Sequence, residues 1–473
     1  MRKALAPSIA FVLVFVVFAP CVSVAAQSDA ASDYIEPALA GPTYYDEDRA
    51  ADVETEQIGG YTWTKDIRIT RNSAEDIMPQ VTVDQFHNSH IVWQRQGYWT
   101  RTYDRTGQPL SKETFITSHV VTGYGSPDTY PLGPTVAIDN NQNIHVVWDD
   151  GWQNVFYQKF DAEANPISSA IHVGPTDNEA SHVPSVAVDS LNNYIHIGHE
   201  DYSYQCEDIL YTKYDQNGKV LANEIAVSSG VSSHCEHNTV TTDINGYIHF
   251  GFGSSTGAWW GKVDQNGVLR GQAVNVMTGQ SYKLVDPAVT PDGSVHCVWE
   301  DSGTIYYTRM DNNGTFLNRD VIISKNGVSP GPPRIAACHE ENTVYIVWHD
   351  LRDGNAEIYY AKMTQGNYGT TPENYRLSRN SADSRYPRIA CDPDDNVHVA
   401  WGDMRDGNWE IYYKFMFNFK LELGVVNIAE LPSMYYFHPN ETKKLHMYIE
   451  NQGGLPDDYR VTLLYDEWAT AAG

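Results

Sequence analysis

Basic residues are scarce in this chain. Against 60 Asp and Glu stand 32 Lys and Arg, a formal charge of −28 over 473 residues. So acidic a surface repels nucleic-acid phosphates and anionic lipid, and no nucleic-acid partner is expected. Cysteine is scarce too: there are six, and five remain once Cys21 is set aside. An odd, dilute set of this kind is no disulfide framework. After the N-terminus no apolar run approaches the ~20 residues that span a bilayer. The sequence also lacks a glycine-rich phosphate loop, an HExxH, a nucleophile elbow and a cysteine pair at zinc spacing.

The one long apolar run, residues 9–19, follows Arg2 and Lys3 and precedes Val24-Ala25-Ala26. This is the order of a secretory signal, expected to be cleaved after Ala26. The expectation is therefore a secreted or cell-surface protein, a monomer with no membrane span after cleavage. Residues 27–60 are acidic, aperiodic and carry Pro, Gly and Ala, and read as a flexible leader.

What is present is repetition. The runs HIVW, IHVVW, IHIGH, IHFGF, VHCVW, VYIVW and VHVAW end at Trp93, Trp148, His199, Phe252, Trp299, Trp348 and Trp401, at spacings of 47 to 55 residues. Seven units of that length fit a β-propeller or another β-repeat array. Each unit has one grammar. A Pro-x-Val-Ala-x-Asp phrase, as in PTVAID from Pro134, precedes the Trp-ending run. An aromatic run ending in Lys or Arg follows, then an Asp-x-x-Gly turn and a short β-branched segment. That is four short strands with turn chemistry between them.

The ends of the array match each other. KDIRITRNSAEDIMPQV from Lys65 parallels YRLSRNSADSRYPRI from Tyr375, which closes unit six and opens unit seven. Unit seven lacks its last strand, so Ile67 and Ile69 are expected to supply it and close the ring, protecting its sheet edges.

The phrases VWHDLRDGNAEIYY and AWGDMRDGNWEIYY carry a resemblance. Residues 61–419 resemble secreted prokaryotic seven-bladed β-propeller proteins with tryptophan-rich, sialidase-like repeats. The Asp-x-x-Gly turns are similar to the sialidase Asp-box but lack its preceding Ser or Thr and its trailing aromatic. Residues 420–473, with IENQGGLPDDYRVTL, resemble an Ig-like adhesion-type module. At 54 residues it is incomplete beside the ~100 of such a sandwich. The resemblance implies an all-β fold. It also implies an exported module that binds a glycan, a protein or a cation without catalysis. The alternative is a sialidase-like glycoside hydrolase or a polysaccharide lyase. No cofactor is expected, apart from a structural cation such as calcium.

Candidate residues divide by whether they obey the repeat. Asp150, Asp201, Asp301, Asp350 and Asp403 recur two positions past the aligned residue and are read as turn-formers accepting backbone N–H groups. Arg352 with Asp353, and Arg405 with Asp406, could grip a carboxylate but are read as local ion pairs. Glu357 and Glu410 offer paired carboxylates for glycoside chemistry, yet recur as equivalents. Six repeated histidines (His90, His145, His196, His249, His296, His398) are read as structural. Units three and four depart most from the pattern. His199, Glu200, Asp201, Trp259 and Trp260 are therefore the expected ligand contacts, with Asp350, Arg352, Asp403 and Arg405 on the same face. Alanine at His199, Glu200, Trp259 or Trp260 is expected to weaken binding without changing the melting temperature. Cys206 and Cys235 fall in loops on one face and are expected to form a disulfide. Cys297, Cys338 and Cys391 are expected to be buried thiols.

Overall fold

The computed structural model describes residues 12–16, 54–104, 106–118, 133–151, 154–174, 180–203, 206–231, 234–278, 284–339, 342–418 and 460–464. The chain separates into two units, residues 53–418 and the paired segments 1–52 and 419–473. Of the second unit the described part is one antiparallel pair, Val12–Val16 with Arg460–Leu464. The rest of the expected signal segment, the leader up to residue 53 and most of the C-terminal module lie outside the described residues. All regular structure among the described residues is β-strand, and no helix there is long and apolar enough to cross a membrane.

Residues 53–418 form a seven-bladed β-propeller. Blade 1 runs Ile77–Val83, Ser89–Gln94, Tyr98–Tyr103 and Thr114–Thr117, innermost strand first. Blades 2 to 6 repeat that antiparallel order over residues 135–173, 180–226, 235–275, 286–322 and 334–376. Blade 7 contributes Ser384–Cys391, Val397–Asp403 and Glu410–Phe417. Its outer strand comes from the other end of the chain, with Ile67 paired to Tyr413 and Arg68 to Tyr412. Ile69 N–H adds a bond to Ile411 O at 2.8 Å. This is the closure that the matching end phrases imply.

A hairpin extends the same sheet. Thr55–Ile58 pairs with Tyr61–Thr64, and Trp63 faces Met416. The propeller sheet thus begins at Thr55, ahead of residue 61, where it was expected to start. Trp63 is fully buried, which explains why this short edge ribbon stays on the blade.

The repeat grammar has a packing cause. The second strands are buried end to end, as in Ile144–Asp149, because each sheet is covered on both faces by its neighbours. Their terminal tryptophans face an aromatic of the third strand. Trp148 stacks on Phe156, Trp299 on Tyr306, Trp348 on Tyr359 and Trp401 on Tyr412, with ring centroids 5.9 to 6.1 Å apart. Cross-strand aromatic pairs contribute roughly 0.2–1 kcal/mol each. The cation that ends the third strand reaches the next blade's turn: Lys159 Nζ to Gln216 O at 3.4 Å, and Lys262 Nζ to Asn312 Oδ1 at 2.9 Å.

The innermost strands carry a recurring irregularity. Register shifts occur at residues 77–80, 182–185, 236–239 and 385–388. Inside each lies a non-glycine residue at positive φ: Met78 at 52°, Val183 at 44°, His237 at 62° and Tyr386 at 58°. A β-bulge leaves one residue unpaired and sharpens the local twist. Positive φ at β-branched Val183 is a rare conformation.

The cysteines need correction. Cys338 and Cys391, expected as thiols, form a disulfide with Cα atoms 5.5 Å apart. They sit at equivalent ends of the innermost strands of blades 6 and 7, which the packing of adjacent sheets brings side by side. Cys297 is a buried thiol. Cys235 is buried, but the side chain of Cys206 lies outside the described residues, and with it the expected Cys206–Cys235 bond.

Candidate functional site

The repeated RDGN phrase folds into a latch used twice. In blade 7, buried Glu410 accepts bonds from Arg68 Nη2 at 2.9 Å, Thr70 Oγ1 at 2.6 Å, Asn72 N at 3.1 Å and Asn408 Nδ2 at 3.2 Å. In blade 6, Glu357 accepts from Arg376 Nη2 at 2.6 Å, Ser378 Oγ at 2.5 Å, Asn380 N at 3.0 Å and Asn355 Nδ2 at 3.0 Å. Each carboxylate is fully buried and spends its oxygens on ordering its own outer strand. Neither is placed as an acid or base facing solvent.

The arginines and aspartates of the phrase are spent the same way. Asp350 takes Val328 N–H at 2.9 Å, Trp348 Nε1–H at 3.1 Å and Arg352 Nη2 at 2.5 Å. Asp403 takes Ser384 Oγ at 2.9 Å, Trp401 Nε1–H at 2.9 Å and Arg405 Nη2 at 2.6 Å. Burial pushes both carboxyls up, but the bonds they accept, led by those from Arg352 and Arg405, together outweigh it and hold each below the ordinary carboxylate range. Arg352 and Arg405 also lie over Tyr359 and Tyr412, 4.3 Å from each ring. Arg405 makes a second ion pair with Asp66 at 2.7 Å, and Arg68 pairs with Asp406 at 2.9 Å. Asp150 accepts Asn154 N at 3.1 Å, the turn role expected of it.

The repeated histidines are structural. His145, His196, His296 and His398 each meet the hydroxyl of a third-strand tyrosine at 2.6 to 2.8 Å. On the other ring nitrogen, His145 and His196 meet Asp139 and Asp189 at 3.3 and 3.0 Å. In blade 4 Trp260 stands where that tyrosine would be, and its Nε1 reaches His249 Nδ1 at 3.3 Å. Among the described residues no three His, Cys, Asp or Glu side chains gather as a metal site.

The irregular residues of blades 3 and 4 are not assembled on an open surface. His199 is fully buried, and burial brings its ring down to about 4. Glu200 is buried and accepts His237 N–H from the next blade. Trp260 is 3% exposed, while Trp259 is half-buried with its Nε1 on Ser254 Oγ at 2.9 Å. Asp201 sits between the first and third strands of its blade, opposite Ser181 and Asp208.

The break in symmetry lies elsewhere, on the axis. Gln80, Thr135, Ser185, Thr239, Asp286, Arg334 and Arg388 pair with Val92, Val147, Gly198, Gly251, Val298, Val347 and Ala400, each one residue before the aligned position. They are therefore seven equivalent places, one per blade. All seven line one cavity of about 190 Å³. Four are neutral and polar on blades 1 to 4 and three are charged on blades 5 to 7. A second cavity of about 360 Å³ shares Thr241, Pro287 and Ile335 with the first and extends toward the turns between first and second strands. The charged ring lies near the start of the innermost strands, the end that faces the turns between second and third strands.

No family model matches this chain, and no curated protein matches it. Among solved structures it is similar to an ulvan lyase of a polysaccharide lyase family, at 13% identity over 76% of this chain and 95% of that one, with a TM-score of 0.49. A Hadza microbial sialidase aligns at 12% identity over 69% and 73%, with a TM-score of 0.42. A protein of unknown function from Dyadobacter fermentans aligns at 12% identity over 74% and 97%, with a TM-score of 0.46. Likeness at this distance concerns the architecture alone.

The axial ring was missed in the sequence, although its signal is there. Where blades 2 and 3 read PTVAID and PSVAVD, blades 6 and 7 read PRIAAC and PRIACD. Arginine replaces a hydroxyl residue at a position that lines the axial cavity.

Proposed function

We propose that this protein is an exported, non-enzymatic binding propeller whose ligand enters the axial channel. One observation carries the reading. The carboxylates available for glycoside chemistry, Glu357 and Glu410, are buried and saturated by their own blades, while the ring of equivalent axial positions is unlike from blade to blade. Repetition serves the scaffold, and departure from repetition marks what the scaffold presents. A concave, polar, pre-formed channel suits a hydroxyl-rich ligand such as a glycan. The test is a glycan-binding screen run beside an assay for released reducing ends and for the unsaturated ends that a lyase leaves. Binding without product supports the reading; turnover of a bound glycan overturns it.

A further inference from the structure

Arg334 and Arg388 are equivalent residues on adjacent blades, 8% and 6% exposed, and both line the axial cavity. Among the described residues neither has a carboxylate within ion-pair distance. Arg334 Nη1 and Arg388 Nε have no hydrogen-bond partner among the described residues. Arg388 Nη1 donates to its neighbour's carbonyl, Pro387 O, at 3.0 Å. The nearest counter-charge on the ring is Asp286 on blade 5, whose Oδ2 is engaged by Ile335 N–H at 3.0 Å. Two cations and one anion leave the ring with a net charge of +1 inside a chain of −28.

A buried, incompletely paired guanidinium is destabilising, and two near each other more so. Burial lowers the pKa of both arginines. The charge of Arg334 lowers Arg388 further, and Asp286 offsets only part of this. The fold holds them in place regardless, since Cys338 and Cys391 tie the same two strands together. Such an arrangement lacks one component, an acceptor with several oxygens that can take parallel N–H bonds from guanidinium forks.

We infer that Arg334 and Arg388 form the recognition site for a small oxyanion, a carboxylate, sulfate or phosphate group, held in the axial channel. This rests on the binding reading above and deepens it by naming the chemistry of the ligand. The oxyanion arrives either as a free ion or as a substituent of a glycan, and the two sources share the same contacts.

The experiment uses the full chain, the Arg334→Gln/Arg388→Gln double variant and the Asp286→Asn variant. Sodium sulfate, phosphate and acetate are titrated against sodium chloride at matched ionic strength, with binding read by calorimetry and thermal shift. A sulfated oligosaccharide, a uronate-bearing oligosaccharide and a neutral one form the second arm. Sulfate in general strengthens burial, so the reading is the difference between wild type and the double variant. We expect saturable oxyanion binding to wild type and none to the double variant. With the two unpaired cations removed, and the Asp286 carboxyl already pushed up by burial, the double variant melts no lower than wild type in chloride alone. Asp286→Asn, which keeps both arginines and removes their counter-charge, binds at least threefold tighter. Should the double variant not fold, this last result decides. Affinity unchanged in Asp286→Asn, or oxyanion binding surviving in a folded double variant, overturns the site. Tighter binding of the anionic oligosaccharides than of the free ions assigns the group to a glycan, and the reverse assigns it to a free ion. A neutral oligosaccharide that binds both proteins equally, with no oxyanion bound by wild type, leaves the binding reading standing and the oxyanion site refuted. Turnover of an anionic oligosaccharide that needs both arginines does the opposite.

Discussion

Arg68 Nη2 lies 2.9 Å from Glu410 Oε1, joining residues 342 apart in sequence. Thr70 and Asn72 close on the same carboxylate, so the chain's start is fastened to its last blade by one buried side chain. Removing one partner of a buried pair costs about 3 kcal/mol, or about 4 °C for a domain of this size. Glu410→Ala is therefore expected to lower the melting temperature by that amount and to expose the segment at Lys65 and Arg71 to trypsin. Glu357→Ala, which loosens the equivalent latch inside blade 6, should cost a similar amount and leave that segment protected. Equal cleavage in the two variants would mean that Glu410 does not close the ring.

The disulfide between Cys338 and Cys391 spans 53 residues. A loop of that length gives about 4 kcal/mol in the chain-entropy account, or roughly 5 °C here. Reduction under native conditions, or the Cys338→Ala/Cys391→Ala variant, should lower the melting temperature by about that much. An unchanged transition after complete reduction, verified by mass, would refute a stabilising bond.

Acid should unfold the propeller through its histidines. Burial lowers His145, His196, His249 and His398 from the ordinary 6.5, though each is partly restored by its aspartate partner. Burial, helped by Arg309, brings His296 to about 3. Folded values below the unfolded value mean that the unfolded chain takes up protons first. The stability these rings contribute is complete above ~6.5 and is lost as pH falls from there through the folded values. Burial raises Asp139, but bonds from His145 and Asn143 outweigh it and bring the carboxyl to about 2, so its contribution is lost only below ~3.9. Melting temperature at constant ionic strength is thus expected to fall steadily between pH 6.5 and 4. A flat profile over that window would contradict the buried neutral histidines.

Trp260 was expected from the sequence to touch ligand, and the structure gives it a packing role. Trp260→Ala should cost about 3–5 kcal/mol by leaving a cavity and orphaning His249. Trp260→Tyr, which restores the hydroxyl partner used in four other blades, should cost less than half as much. Equal losses in the two variants would show that His249 needs no donor at that place.

The architecture was legible because its signals are periodic. A tryptophan that must stack on the next strand recurs in five of the seven blades, and the RxxRNSA match between Arg68 and Arg376 reveals closure directly. The site was harder to read. His199 and Trp260 depart from the repeat, but on positions that face neighbouring sheets, where a departure is absorbed by repacking. Arg334 and Arg388 depart on the position that faces the axis. Which of two alternating faces points inward depends on the bulges at Val183 and Tyr386, and a bulge shifts the period that the sequence would otherwise display. The disulfide was hidden for a related reason: Cys338 and Cys391 sit in apolar phrases of different blades, and only ring packing makes them neighbours.

The central claim is that the outer repeats hold the ring and the axial arginines receive the ligand. Selenate is an oxyanion of sulfate's shape whose selenium scatters anomalously. Crystals of the full chain soaked in selenate, with data collected at the selenium edge, test the claim directly. The account predicts an anomalous peak in the axial channel within hydrogen-bond distance of both Arg334 and Arg388, absent from the Arg334→Gln/Arg388→Gln variant. An empty channel with selenate bound instead at Arg352 or Arg405 would contradict it.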